Sequence, residues 1–190
     1  MDYPYMPAHL QWPRPSTARP TLLVVHTMEA AELSSTAESC AKFFQKLTAT
    51  GSAHLCIDND SIVQSVPFER MAAGARGAPY KGKSVNSWAI HFEHAGYARQ
   101  NASDWADDFS VKMLFWSAIA AAKVCHTYNI PPAWLDPGQL RQGQVGVTSH
   151  ANISKAFNVT GGHTDPGTAF PVASYIAAVS YWLAYLVAHP

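Results

Sequence analysis

Charge is scarce in this chain. Only 14% of its 190 residues are Asp, Glu, Lys or Arg, against 48% hydrophobic, a balance that excludes a disordered tail and calls for a well-filled interior. The 13 basic and 13 acidic residues cancel, so no global field draws the protein to nucleic acid or to an acidic membrane. Any polymer it recognises must be read locally. Cysteine is scarce as well. Cys40, Cys56 and Cys125 are odd in number, widely spaced and form no CxxC pair, which argues against a disulfide framework and a cysteine-rich zinc site. The N-terminus lacks a charged segment followed by an apolar run, so no secretory leader is expected and synthesis is expected in a reducing cytosol.

Several catalytic signatures are missing too. There is no GxSxG elbow, no phosphate-binding GxxxxGK[ST] and no HExxH. The His91-x-Glu93 pair lacks the PCxxC that a zinc deaminase needs. None of the cysteines is expected at a helix start, where a nucleophilic thiolate would form.

At this length one domain suffices. Residues 1–20 carry five prolines and cannot form a regular helix or a central strand; they are expected to lie as an arm over the domain 21–190. Residues 21–27 (TLLVVHT) read as a buried strand delivering His26 at its end. Ser35 and Glu38 resemble a capping box opening a helix to about residue 50, stopped by Gly51. Strands are expected at 53–58 and 61–67 around the turn Asp58-Asn59-Asp60. Residues 71–86, rich in glycine and basic side chains, read as a loop able to line a substrate groove. Residues 87–94 (SWAIHFEH) form the next strand, with His91 and Glu93 on one face and Ile90, Phe92 and His94 on the other.

Ser103 or Asp104 is expected to cap a long helix reaching about residue 129. A turn-rich connection at 133–144 and a short strand at 145–149 lead into His150. Residues 172–188 are nearly all apolar, but the run is near the minimum for a membrane span and contains two serines and three tyrosines, so a buried C-terminal helix is expected. Hairpin and crossover links together predict an α/β (α+β) fold, with a central mixed sheet of about five strands flanked by three main helices.

The densest chemistry lies in 145–171, where His150, His163 and Asp165 surround Gly161 and Gly162 and a sharp Asp165-Pro166-Gly167 turn. A hydrolytic zinc takes three protein ligands and keeps one position open, and His26, His150 and Asp165 fit such a set. Taken alone, a histidine on an apolar strand such as His26 is more often a satisfied core residue. Asp165 could equally cap the last helix, and Glu93 could be a buried ion-pair partner.

VVHTM at His26, SAHLCIDNDSIVQSVP, SWAIHFEHAG at Glu93, and the SH plus HTDPGTAFP pair together resemble the zinc-dependent N-acetylmuramoyl-L-alanine amidases. These have the type 2 amidase fold shared with peptidoglycan recognition proteins. The likeness is nearest to phage endolysin catalytic domains and spans about residues 20–172 in the right order. It implies one Zn2+ per chain on His26, His150 and Asp165, with Glu93 positioning or deprotonating the attacking water. Where the family usually has an oxyanion-stabilising Lys, this chain has His163, acting either as a neutral donor or as a cation. Ala53 stands where some phage members carry a catalytic Tyr, and His91 where the family commonly has Gly. His54, His91, His94 and Asn86 are candidates for contacts behind the metal or in the substrate groove.

The resemblance implies bacterial peptidoglycan as the partner; the charge balance and the short apolar run leave no nucleic acid and no integral membrane segment expected, and a monomer is expected. It further implies production in a host cytoplasm and action on the wall after release. No wall-binding repeat is recognisable, which fits the catalytic part of a longer lysin. Two other readings remain: a recognition module that binds peptidoglycan without cleaving it, and a cytosolic amidase recycling soluble muropeptides.

Overall fold

A computed structural model describes residues 3–159 and 162–189. Gly161, one of the two glycines expected to give the 145–171 stretch its flexible backbone, lies outside them. Among the described residues, nine short strands and five helices pack in layers. At its centre is a five-stranded mixed sheet in the order β4-β3-β8-β2-β9. It consists of β2 (Leu22–Thr27), β3 (Leu55–Ile57), β4 (Ile62–Gln64), β8 (Ala89–His94) and β9 (Gly146–Ser149). Only the β3–β4 hairpin is antiparallel. β2 is buried along its whole length between two parallel neighbours, which explains its unbroken apolar sequence.

Alternation along β2 and β8 separates two cores. Leu23, Val25, Ile90 and Phe92 face α2 (Asp108–Tyr128) and α5 (Val172–Ala188), in a cluster that includes Met113, Tyr175 and Val179. Leu22, Val24 and Ala89 face the other way, toward Leu140 of α3 (Pro137–Arg141) and Ile153 and Ala156 of α4 (His150–Phe157). α1 (Thr36–Gln45) covers the β3–β4 end with Ala37, Ala41 and Phe44. The polar continuation of this second face, at the C-terminal ends of β2 and β8, holds His26, His91 and Glu93.

The arm is not free of regular structure. β1 (Gln11–Pro13) pairs antiparallel with β5 (Arg70–Ala72), so the segment expected to be loop starts as a strand and continues through the small hairpin β6 (Pro79–Tyr80) and β7 (Lys83–Ser84). Two helix starts differ from expectation. Ser35 makes no side-chain cap on α1; Asp58, from the β3–β4 turn, accepts the Ala37 N–H instead. Asp107 caps α2 through Ser110 N after a single 3-10 turn at Asp104–Ala106. α1 ends at Gln45, short of Gly51. α3 and α4 have no counterpart in the expected element order. α3 opens on a capping box from Asp136 and Gln139, and α4 on Ser149, which accepts from Asn152 N.

α5 is less buried than its composition predicts. Only Tyr175 and Val179 are fully enclosed, while Tyr181 and Tyr185 are exposed. Among the described residues, no helix is long and apolar enough to cross a membrane, and all three cysteines are free.

Candidate active site

His26 is the penultimate residue of β2, and its register partner on the adjacent parallel strand β8 is Glu93, so both side chains emerge on the same face. β9 lies on the other side of β2 and passes directly through Ser149 into α4, whose first residue is His150. The following loop is tied back onto this helix. Ala151 N donates to the Asp165 carbonyl at 2.9 Å and His163 N to Ser154 Oγ at 3.0 Å. Gly167 closes the turn with φ +90°, and a Cβ there would collide with the Ala98 carbonyl, so only glycine fits.

These constraints bring three donors together. His26 Nδ1 lies 3.0 Å from Asp165 Oδ2, His150 Nδ1 lies 3.2 Å from Asp165 Oδ1, and the two Nδ1 atoms are 3.1 Å apart. All three residues are buried, and they form the one His/Cys/Asp/Glu group among the described residues arranged to hold a metal ion. The separation of the two imidazole nitrogens approaches the ~3.3 Å edge of a tetrahedron with zinc–ligand bonds of about 2.0–2.1 Å, and one atom from each of the three residues lies within 4.8 Å of the others. Two imidazole nitrogens facing each other and a shared carboxylate also need a proton or a cation between them, so the donor set fits a divalent ion. Burial opposes the Asp165 charge, but hydrogen bonds from His150 and His26 outweigh it and hold the carboxyl below its usual range. Burial lowers His150 despite the Asp165 hydrogen bond, which keeps the ring neutral, as a ligand requires.

The trio opens onto a cleft of ≈ 480 Å³ lined by Glu29, Phe44, Ser52, Arg76, Glu93 and His163, among others. One Glu93 carboxylate oxygen, Oε2, is sealed from solvent without a hydrogen-bond partner. Burial first, then neighbouring acidic groups, raise the Glu93 pKa well above the ordinary carboxyl value. This is the environment that makes a carboxyl a proton carrier near neutrality. His163 is more than half exposed, stacked on His150 at 3.6 Å, with Nδ1 3.6 Å from Asp165 Oδ1. Partial desolvation and His150 lower its pKa, which favours the neutral donor form over the cation.

The remaining candidates separate clearly. His91 lies behind His26, Nδ1 to Nε2 at 3.0 Å, and His54 lies behind His91, accepting its main-chain N–H at 3.0 Å. His94 projects to the opposite face of the sheet. Its Nδ1 meets the His26 main-chain carbonyl at 3.0 Å, and its Nε2 continues into a Ser117–Tyr175 hydroxyl chain. Asn86 accepts from Ala75 N and steadies the loop; neither His94 nor Asn86 lines the cleft. Of the basic loop residues, Arg76 reaches the cleft, while Lys81 folds over Tyr80 and Trp88. Sequence reasoning missed Ser52, Glu29 and Gly74, which carry no motif and become part of the site only through the sheet register.

The sequence profile described as N-acetylmuramoyl-L-alanine amidase matches residues 16–168. Comparison with curated protein sequences finds no match. Among solved structures, a Se-Met AmpD derivative superposes with a TM-score of 0.68 at 23% identity, covering 93% of this chain and 94% of that one. The Staphylococcus aureus hydrolase AmiA, in complex with its ligand, gives 0.70 at 17% identity over 98% and 87%. A mutant endolysin from Bacillus subtilis gives 0.63 at 15% over 94% and 99%. At these identities the likeness is one of fold, and it extends to the five-stranded mixed sheet.

Proposed function

The chain belongs to the N-acetylmuramoyl-L-alanine amidase family, and we propose that it is a zinc-dependent peptidoglycan hydrolase cutting the amide between N-acetylmuramic acid and the L-alanine of the stem peptide. The convergence of His26, His150 and Asp165 beside an unpartnered Glu93 carboxylate carries this reading. A recognition module without catalysis has no need of a buried carboxyl poised for proton transfer next to a complete donor set.

His26, His150 and Asp165 would hold the ion. A bound Zn2+ supplies Lewis acidity and lowers the pKa of water towards neutrality. Glu93 takes a proton from the attacking water as its oxygen bonds to the amide carbonyl carbon, and returns that proton to the L-alanine nitrogen as the C–N bond breaks. His163, at the mouth of the cleft, donates a hydrogen bond to the oxygen that becomes negative in between. Arg76 and Glu29 give the cleft one charge of each sign, for the zwitterionic and carboxylate groups of a stem peptide.

The same reading extends to the setting: the catalytic part of a phage lysin, made in the host cytoplasm and acting on the wall after release. The superposition on the Bacillus subtilis endolysin supports the lysin part of that reading through likeness of fold. Digestion of purified walls tests the whole. Chelation is expected to abolish lysis and zinc to restore it, with new L-alanine amino groups as product. Release of reducing sugar ends would overturn the assignment, and cleavage of soluble muropeptides but not of intact walls would replace the lysin by a recycling enzyme.

A further inference from the structure

The nitrogen of His26 that does not face the metal trio is occupied. Nε2 lies 3.0 Å from His91 Nδ1, and His91 is completely buried. Its ring is fixed on both sides. His54 stacks on it with centroids 5.8 Å apart and planes 18° from parallel. On another side is Gly74, where any Cβ would collide with the imidazole. His54 is itself anchored: its Nδ1 accepts the His91 main-chain N–H, which leaves its Nε2 to donate to the Arg70 carbonyl at 3.1 Å. The second ring nitrogen of His91, Nε2, is sealed in the interior with no partner at all.

A histidine kept for packing alone would be expected to satisfy both nitrogens, since a buried donor left without a partner loses its hydration and gains nothing in return. Here only the nitrogen aimed at His26 is used. That pattern follows if His26 offers Nδ1 to the metal: its proton then resides on Nε2 and needs an acceptor. His91 Nδ1 is within reach only if the His91 proton is placed on Nε2, the orphaned atom. Metal-ligating imidazoles generally donate their remote N–H to a carboxylate, a carbonyl or water; in this chain the acceptor is a second imidazole.

We propose that His91 is a positioning residue for the metal site, accepting the His26 Nε2 proton so that His26 Nδ1 is fixed as the ligand atom, with Gly74 as the space that admits the ring. The inference rests on His26 being a metal ligand. It assigns a function to the pairing of a large residue at 91 with no side chain at 74.

The test is zinc affinity of the full chain, measured by competition with a chromophoric chelator and therefore independent of wall lysis. His91→Asn places an amide oxygen close to where Nδ1 now sits, and His91→Leu has the same shape without an acceptor. The expected result is affinity near that of the unmodified protein for His91→Asn and a loss of about 10- to 100-fold for His91→Leu. NMR of the imidazole nitrogens in the zinc-loaded protein should show His26 protonated at Nε2. Should His91→Leu not fold, His91→Gly, which removes the ring and meets no steric limit, is expected to lose affinity by the same factor. Equal affinity in the unmodified protein and in His91→Leu or His91→Gly overturns the positioning role and leaves the metal site standing. An unmodified protein that takes up no zinc overturns the metal reading and this inference with it.

Discussion

The rings of His150 and His163 lie face to face, 3.6 Å between centroids and 16° from parallel. The stack exists because His163 N donates to Ser154 Oγ, one helical turn beyond His150 on α4. One face of His163 therefore rests on the His150 ring and the other is open to the cleft. A lysine at this position would offer a fixed charge on a flexible stem, whereas the stacked imidazole is a held donor whose lowered pKa keeps it neutral.

Removing that donor should separate catalysis from metal binding. His163→Ala is expected to lower kcat by about 10²–10³-fold, as for loss of an oxyanion donor, while zinc affinity changes little. His163→Lys should recover part of the rate. Steady-state kinetics on wall fragments together with zinc titration check this; an unchanged kcat in His163→Ala would remove His163 from the mechanism.

Glu93 should behave differently from the ligand residues. Glu93→Gln keeps the size and the polar character but cannot carry a proton, so the rate is expected to fall by about 10²–10⁴-fold. The zinc content should stay at one ion per chain. The folded protein should also gain stability or stay level, because a half-buried carboxyl with one oxygen sealed and unpartnered is replaced by a neutral amide. Loss of zinc together with loss of activity would mean that Glu93 supports the metal and does not move the proton.

Much of the frame was legible from residue pattern. The apolar run that opens β2 and the alternation at β8 reflect how deeply each strand is buried, and parity along β8 already set His91 and Glu93 apart from Phe92 and His94. Helix ends were less legible, because the groups that close them come from elsewhere in space. Ser35 and Glu38 have capping-box spacing, yet Asp58 reaches in from a turn and takes the Ala37 N–H. α4 is short and contains Asn152, Ile153 and Ser154, poor helix formers; burial of Ile153 and Ala156 against Leu22 and Leu140 holds it. The same limit applies at the site. That His26, His150 and Asp165 belong together was readable from family order, but the pairing of His91 with Gly74 depends on a strand register and a loop path that no local spacing encodes.

Acid should weaken the fold through its buried histidines. Burial lowers His54 from 6.5 to about 3 and His94 to about 4, and His91 shifts the same way. Above the ordinary value of 6.5 neither state is protonated and these groups contribute nothing. As pH falls from 6.5 towards 4, the unfolded chain binds protons that the folded chain refuses, so stability drops by about 1.4 kcal/mol per pH unit for each such group. Urea midpoints of metal-free protein across this window should fall steeply, and more gently in His94→Gln. A midpoint independent of pH would show that these rings accept protons while folded.

Arg14 ties the arm to the catalytic sheet, and its loss should be felt by the whole domain. Its Nη1 donates to the carbonyls of Asn86 and Ser87, and its Nη2 to those of Phe68, Arg70 and Ala89, at 2.7–3.2 Å. Burial lowers its pKa only to about 10, so the guanidinium stays charged under neutral conditions. Removing the cation takes a donor from all five carbonyls at once, and of these the Arg70 carbonyl keeps His54 Nε2 as a partner. Arg14→Met is expected to cost at least ~3 kcal/mol, since hydrogen bonds to a charged group contribute about 1.5–3 kcal/mol each and add incompletely. For a domain of this size that corresponds to a fall in Tm of roughly 6–12 °C. Arg14→Lys should rescue little, because a point charge with three donors cannot span carbonyls that the planar fork reaches from two nitrogens. The arm pairs with β5, which leads into the loop carrying Gly74 and Arg76, so the same variants should also weaken zinc binding at temperatures well below Tm. Thermal melts and zinc titrations that both match the unmodified protein would show that the arm only rests on the surface.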